Sequence, residues 1–208
     1  MKDQNEIVKP QRPVDESDRV LGPPSASATL VEYGDYECPF CRQLHPLIQE
    51  IMKRTEGLRF VYRHFPIRNV HPHAVRAAEA AEAAGAQGLF WQMHDLLFEQ
   101  DKPLNDGQLA RLARKAGLDM QRYTKEMAES VYSGKVEEDF KAALYGDGVT
   151  GTPTLYLNGV LLSSTRGLEG LLAAVTRAGA TLNADSDKRT NWLSRLRAYR
   201  PGMTRLHT

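Results

Sequence analysis

Two cysteines, Cys38 and Cys41, are the only ones in a chain of 208 residues, and they stand where one hydrophobic pattern gives way to another. Leu30 to Tyr33 form a short apolar run that reads as a strand leading into them. Beyond them Leu44, Leu47, Ile48, Ile51 and Met52 recur at i, i+3, i+4, i+7 and i+8, the buried stripe of a helix. The pair therefore opens a helix at the end of a strand. The first turn of a helix offers free N–H groups and the positive end of the macrodipole, and both favour a thiolate over a thiol. Cys38 is the candidate nucleophile, because a free cysteine with a pKa of about 8.5 is lowered at a helix N-terminus within C-x-x-C. Cys41, one turn in, is the candidate second thiol. Pro39 starts the helix without losing an N–H that could face the sulfur.

Composition narrows the classes that remain. A formal net charge of +1 provides no global field to recruit nucleic acid or a membrane surface. No run of eighteen apolar residues exists, so no membrane span is expected. Met1 to Val20 is charged and lacks the apolar centre of a signal peptide, which favours a cytoplasmic protein, with a periplasmic form freed of its leader as the alternative. Two cysteines are too few for a disulfide-stapled scaffold. They also supply only half of a structural zinc site, and His45, His64, His71 and His73 stand at no spacing that completes one. No metal and no organic cofactor is expected.

Residues 1–27 carry charge clusters and four prolines and read as an extended arm, in which Val20 and Leu21 offer a short edge strand. Ala28 to Gly34 is the first firm strand, and it contains Glu32. That carboxyl is either solvated at an edge or buried beneath the cysteines as a proton carrier. A helix from about Cys41 to Thr55 contains Pro46, which predicts a kink near His45. Leu58 to Phe65 reads as a second strand, giving a βαβ unit and a parallel pair. From about 72 to 145 every apolar pattern is helical, punctuated by glycine and proline. His94, within this stretch, reads as a packed or capping residue rather than a ligand. Asn158-Gly159 between Leu155–Leu157 and Val160–Leu162 predicts a hairpin. Leu168, Leu171, Leu172 and Val175 predict a closing helix. Residues 183–208 form a basic tail in which Trp192, Leu196 and Tyr199 share a helical face.

Strand, C-P-F-C, helix, strand, helical insert, Thr-Pro before a hairpin, helix: this order resembles the thioredoxin superfamily, and the insert resembles that of the DsbA-like branch. The resemblance covers roughly Ala28 to Ala178. It implies an α/β thioredoxin fold, a mixed central sheet flanked by helices, with an all-helical insertion of about 75 residues inside a domain spanning 28–182. It also implies that Pro153, preceded by Thr152, is cis and lies against the cysteines. In that position Thr152 would present backbone groups to a substrate chain. Glu32 matches the family's buried acid six positions before the first cysteine, and Pro46 matches its helix kink.

One departure concerns Phe40, which stands where strongly oxidising members carry histidine. Phenylalanine neither donates a hydrogen bond nor carries charge, and Asp35 and Glu37 beside the sulfur oppose a thiolate, so a less oxidising pair is expected. The activity implied is thiol-disulfide exchange with protein or peptide thiols and disulfides. Cys38 and Cys41 form the redox disulfide, Glu32 carries the proton, and Pro39, Phe40, Thr152 and Pro153 bind the substrate. A separate redox partner recycles the pair. A disulfide isomerase, a glutathione-dependent isomerase or transferase, and a peptide-binding chaperone-like module are the alternatives.

Overall fold

The computed structural model describes residues 12–162 and 167–183. In chain order these form β1 (Arg19–Leu21), β2 (Ala28–Gly34), α1 (Pro39–Arg54), β3 (Thr55–Glu56) and β4 (Leu58–His64). Five helices follow: α2 (Ala74–Gly85), α3 (Phe90–Glu99), α4 (Asp106–Ala116), α5 (Met120–Ala128) and α6 (Ser133–Lys141). The last of them runs into a π-helical turn, Ala142–Gly146. The chain returns through β5 (Thr154–Leu157), β6 (Val160–Leu161), α7 (Gly167–Arg177) and β7 (Thr181–Leu182).

The main sheet has the order β1-β4-β2-β5-β6. Its central strand β2 is parallel to β4 and antiparallel to β5, the mixed sheet expected. β1 pairs antiparallel with β4 through Val20 and Leu21, so the arm does contribute an edge strand. β3 and β7 make a separate two-stranded ribbon. Asn158 and Gly159 adopt φ angles of 49° and 78°, the left-handed pair that a tight hairpin turn requires between β5 and β6.

Side chains alternate across the sheet, which assigns each residue of β2 to one of two cores. Leu30 faces a large cluster with Phe60, Leu155, Cys41, Ile48, Ile51 and the buried residues of α2 to α5 and α7. Val31 and Tyr33 face a smaller one with Val61, Phe65, Ala143, Val149 and Tyr156. Glu32, two residues after Leu30, therefore points to the side covered by α1. The alanines of α2, buried at 74, 77, 78, 80, 81, 83 and 84, have little side-chain bulk, so α3 to α6 can pack around it.

α1 begins at Pro39, two residues earlier than expected, because Cys38 is extended (φ −69°, ψ 121°) and Pro39 fills the first helical position. The helix continues through Pro46 to Arg54. Among the described residues no helix is long and apolar enough to cross a membrane. The basic tail, with Trp192, Leu196 and Tyr199, lies outside the described residues apart from Asn183.

Candidate active site

Cys38 caps α1. Its backbone N–H donates to the Asp35 carbonyl at 3.1 Å, and its carbonyl accepts from Arg42 N–H at 3.1 Å. Its sulfur meets a segment from far along the chain: as a thiol, Cys38 Sγ donates to the Thr152 carbonyl at 3.3 Å, and the Thr152–Pro153 peptide is cis. The loop before β5 thus lies against the first turn of α1, as the resemblance implied. Both cysteines are free thiols and buried, Cys38 at 3% and Cys41 at 0% exposure, whereas Pro39 is exposed and Phe40 is 64% exposed on the same turn.

The two sulfurs have opposite electrostatics. Cys38 is lowered to about 5, first by the hydrogen bond from Cys41 and then, against some desolvation, by the side chain of Thr152 and the N–H groups of Cys41 and Phe40. Cys41 is pushed far above its ordinary value by burial and by donating to Cys38. One sulfur is therefore an anion at neutral pH while its neighbour holds the proton. This is the division of labour that nucleophilic attack followed by intramolecular resolution needs.

Glu32 lies beneath this pair on the central strand, 2% exposed, which removes the solvated-edge alternative. Its pKa is raised to about 8, by burial first and then by the charge on Cys38, with a hydrogen bond with Cys41 opposing both. A carboxyl that titrates near neutrality next to the thiol that must ionise is suited to proton transfer. Its neighbour across the parallel pair is Tyr62, whose hydroxyl is buried with no hydrogen-bond partner among the described residues. Gly34 is required by that ring, since a Cβ there would sit 2.5 Å from Tyr62 Cε2.

Asp35 and Glu37 do not behave as the sequence suggested. The Asp35 carboxylate accepts from Glu37 N–H at 2.8 Å, from Ile67 N–H at 2.8 Å and from His71 Nδ1 at 2.7 Å. Glu37 accepts from His73 N–H at 2.7 Å and His73 Nδ1 at 2.8 Å. Both carboxylates are engaged by the loop leading into the insert, and the Cys38 thiolate is favoured despite them. His71 and His73 were missed as parts of this site. The one trace of them in the sequence is matched spacing, two acids and two histidines each at i and i+2.

His94 is packed, as expected, within rings of Tyr36, Tyr62, Phe90, Trp91 and Phe98, and its Nδ1 lies 3.0 Å from Tyr36 Oη. Burial lowers it well below the ordinary histidine value and lowers His45 to about 4, so neither is a cation at neutral pH. Among the described residues neither cysteine belongs to a group of side chains arranged to hold a metal ion.

The family model described as Thioredoxin matches residues 15–177. A Na(+)/H(+) antiporter NhaA 3 from Salinispora tropica is 42% identical over 170 residues, which are 81% of this chain but 26% of the antiporter; the chain spans about a quarter of the length of the curated relatives it matches. A thioredoxin-like oxidoreductase from Silicibacter pomeroyi superposes with a TM-score of 0.70 at 30% identity, over 79% of this chain and 93% of that one. The thiol-disulfide exchange protein alpha-DsbA2 from Wolbachia pipientis shares the fold with a TM-score of 0.69 at 19% identity, over 78% of this chain and 88% of that one. A match over most of the chain, joined to this sheet order and this helical insertion, places the chain in the thioredoxin family, with the fold of its DsbA-like members.

Proposed function

We propose that the protein exchanges disulfides with protein or peptide substrates through Cys38 and Cys41. The observation that carries this reading is the polarised pair itself: a thiolate-prone Cys38 at a helix N-terminus, beside a neutral Cys41 and beneath the Thr152 carbonyl. In the reducing direction the Cys38 thiolate attacks a substrate disulfide, forming a mixed disulfide and releasing one substrate thiolate. Cys41 then loses its proton to Glu32 and attacks the Cys38 sulfur. The Cys38–Cys41 disulfide forms, the second substrate thiolate leaves, and two electrons have passed to the substrate. In the oxidising direction a substrate thiolate attacks Cys38 of the disulfide, Cys41 leaves and takes up the proton, and a second substrate thiolate displaces Cys38. Once Cys38 is in the mixed disulfide its charge no longer raises Glu32, so the carboxylate becomes more available at the step that needs a base.

A low Cys38 pKa stabilises the dithiol and so favours oxidation of the substrate. Phe40 contributes no charge to this, but the opposition expected from Asp35 and Glu37 is blunted by their histidine and backbone partners. An oxidising pair suits a compartment in which disulfides persist, which favours the periplasmic alternative over the cytoplasmic one. The exposed Pro39 and Phe40 flank the sulfur, and Thr152 and Pro153 close the other side, so an extended substrate would lie between them. The exchange of sodium for protons named in the curated relatives is not carried over, because the match covers about a quarter of those proteins.

Insulin reduction by dithiothreitol tests the reading. The protein should accelerate precipitation and Cys38→Ala should not, whereas Cys41→Ser should accumulate mixed disulfides through Cys38. Equal rates for wild type and Cys38→Ala would refute it. Equilibration with glutathione then fixes the direction.

A further inference from the structure

We propose that His45, His94 and Asp95 form a site for one borderline divalent cation, Zn2+ by preference, which joins α1 to α3 one helical turn beyond Cys41. His45 follows Cys41 by four residues and so shares its buried face of α1, while His94 and Asp95 are adjacent on α3. All three are buried, at 6%, 2% and 5% exposure. Each offers one ligand atom, and these atoms lie within 4.8 Å of one another.

The spacing suits a small tetrahedral ion. Bonds of about 2.0–2.1 Å at tetrahedral angles set neighbouring ligand atoms roughly 3.3–3.4 Å apart. His45 Nε2 and Asp95 Oδ1 are 3.3 Å apart, one such edge already formed. The amide of Gln49 lies 3.0 Å from His45 Nε2 and 3.3 Å from Asp95 Oδ1, placing its nitrogen near where a fourth ligand belongs. Half a turn of that amide exchanges nitrogen for oxygen and presents Oε1 instead. Gln49 is only half-buried, so it also marks the side from which an ion would arrive.

A second observation points the same way. Asp95 Oδ2 is buried with no hydrogen-bond partner among the described residues, so the protein leaves this buried carboxyl short of partners, a deficit that a cation bound to the carboxylate would offset. Tyr36 Oη, 3.0 Å from His94 Nδ1, orients that ring and leaves Nε2 for the ion, the role an outer partner plays around ligating histidines. Two imidazoles and one carboxylate select Zn2+ and its transition-metal neighbours over Mg2+ or Ca2+, which take oxygen ligands. The thiol chemistry neither requires the ion nor supplies a ligand to it.

The test uses the full chain, untagged and in its disulfide form, so that neither sulfur can ligate. Titration with Zn2+ should show one bound equivalent and a thermal midpoint that rises with free Zn2+. Co2+ should give visible bands of nitrogen and oxygen coordination without a thiolate charge-transfer band. Asp95→Asn and His45→Gln should each weaken binding at least tenfold, and the exposed Glu129→Gln should not. Gln49→Ala, at the half-buried edge, should weaken it severalfold even if the core variants fold poorly. No Zn2+ bound by the wild-type disulfide form, a thiolate band with Co2+, or unchanged affinity in the foldable variants would each overturn the proposal.

Discussion

Replacing Glu32 by glutamine keeps the shape of the side chain and removes a charge that the fold resists. In the folded protein Glu32 titrates at about 8 against an ordinary 4.5, and it is fully buried. Its pKa is raised, so folding takes up a proton once the pH exceeds 4.5, and stability falls as the pH climbs from there toward 8. Over the interval to pH 7, at 1.36 kcal/mol per pH unit, the carboxyl costs about 3 kcal/mol. The Cys38 thiolate supplies part of that shift and has the opposite dependence of its own: lowered to about 5, it adds stability as the pH rises from 5 toward 9. The comparison is therefore made on the disulfide form, where Cys38 does not titrate and about 3 kcal/mol becomes an upper bound. Guanidinium denaturation of wild type and Glu32→Gln from pH 4.5 to 8 should give curves that coincide at the acid end. By pH 7 the variant should be the more stable. Parallel curves across that range would mean that Glu32 keeps its water, and the proton-carrying role would fall with it.

Cys41→Ala removes the largest contribution to the Cys38 shift, so the midpoint of Cys38 alkylation by iodoacetamide should move upward from about 5 toward the ordinary thiol value; an unmoved midpoint would contradict the assignment. Gly34→Ala should destabilise by about 1–3 kcal/mol through overlap with the Tyr62 ring. Adding Tyr62→Leu should recover part of that loss, and simple additivity of the two changes would count against the clash. Asp18→Asn strips one partner from a pair in which Arg63 Nη2 lies 2.8 Å from Asp18 Oδ2, both essentially buried, and should cost about 3–5 kcal/mol in denaturant.

What could be read from the sequence is what is encoded locally. Cys38, Pro39 and Cys41 sit within one turn, and Asn158-Gly159 is a two-residue instruction, whereas the strand pattern alone left the burial of Glu32 open and only the family resemblance placed it beneath the cysteines. Pro153 is distant from Cys38, but Thr-Pro before a strand is a short pattern that the family resemblance interprets. The features that escaped are pairings between separate elements. His71 and His73 reach Asp35 and Glu37 across 36 residues, Arg63 reaches Asp18 across 45, and His45 meets Asp95 only because α1 and α3 pack together. Periodicity says which face of a helix is buried, but not which polar group waits opposite.

Those missed pairings change what the insert does. In the sequence, residues 72–145 show only a series of helical stripes. In the structure the Asp35 carbonyl fixes the Cys38 N–H, while the Asp35 carboxylate is held by Ile67 and His71 and Glu37 is held by His73, immediately before α2 begins. The loop that sets the start of α1 is thus anchored to the start of the insert. Its two carboxylates are tied to these partners. The helix terminus that favours the thiolate owes its conformation to local sequence, while its neighbouring acids are engaged by the loop that leads into the insert.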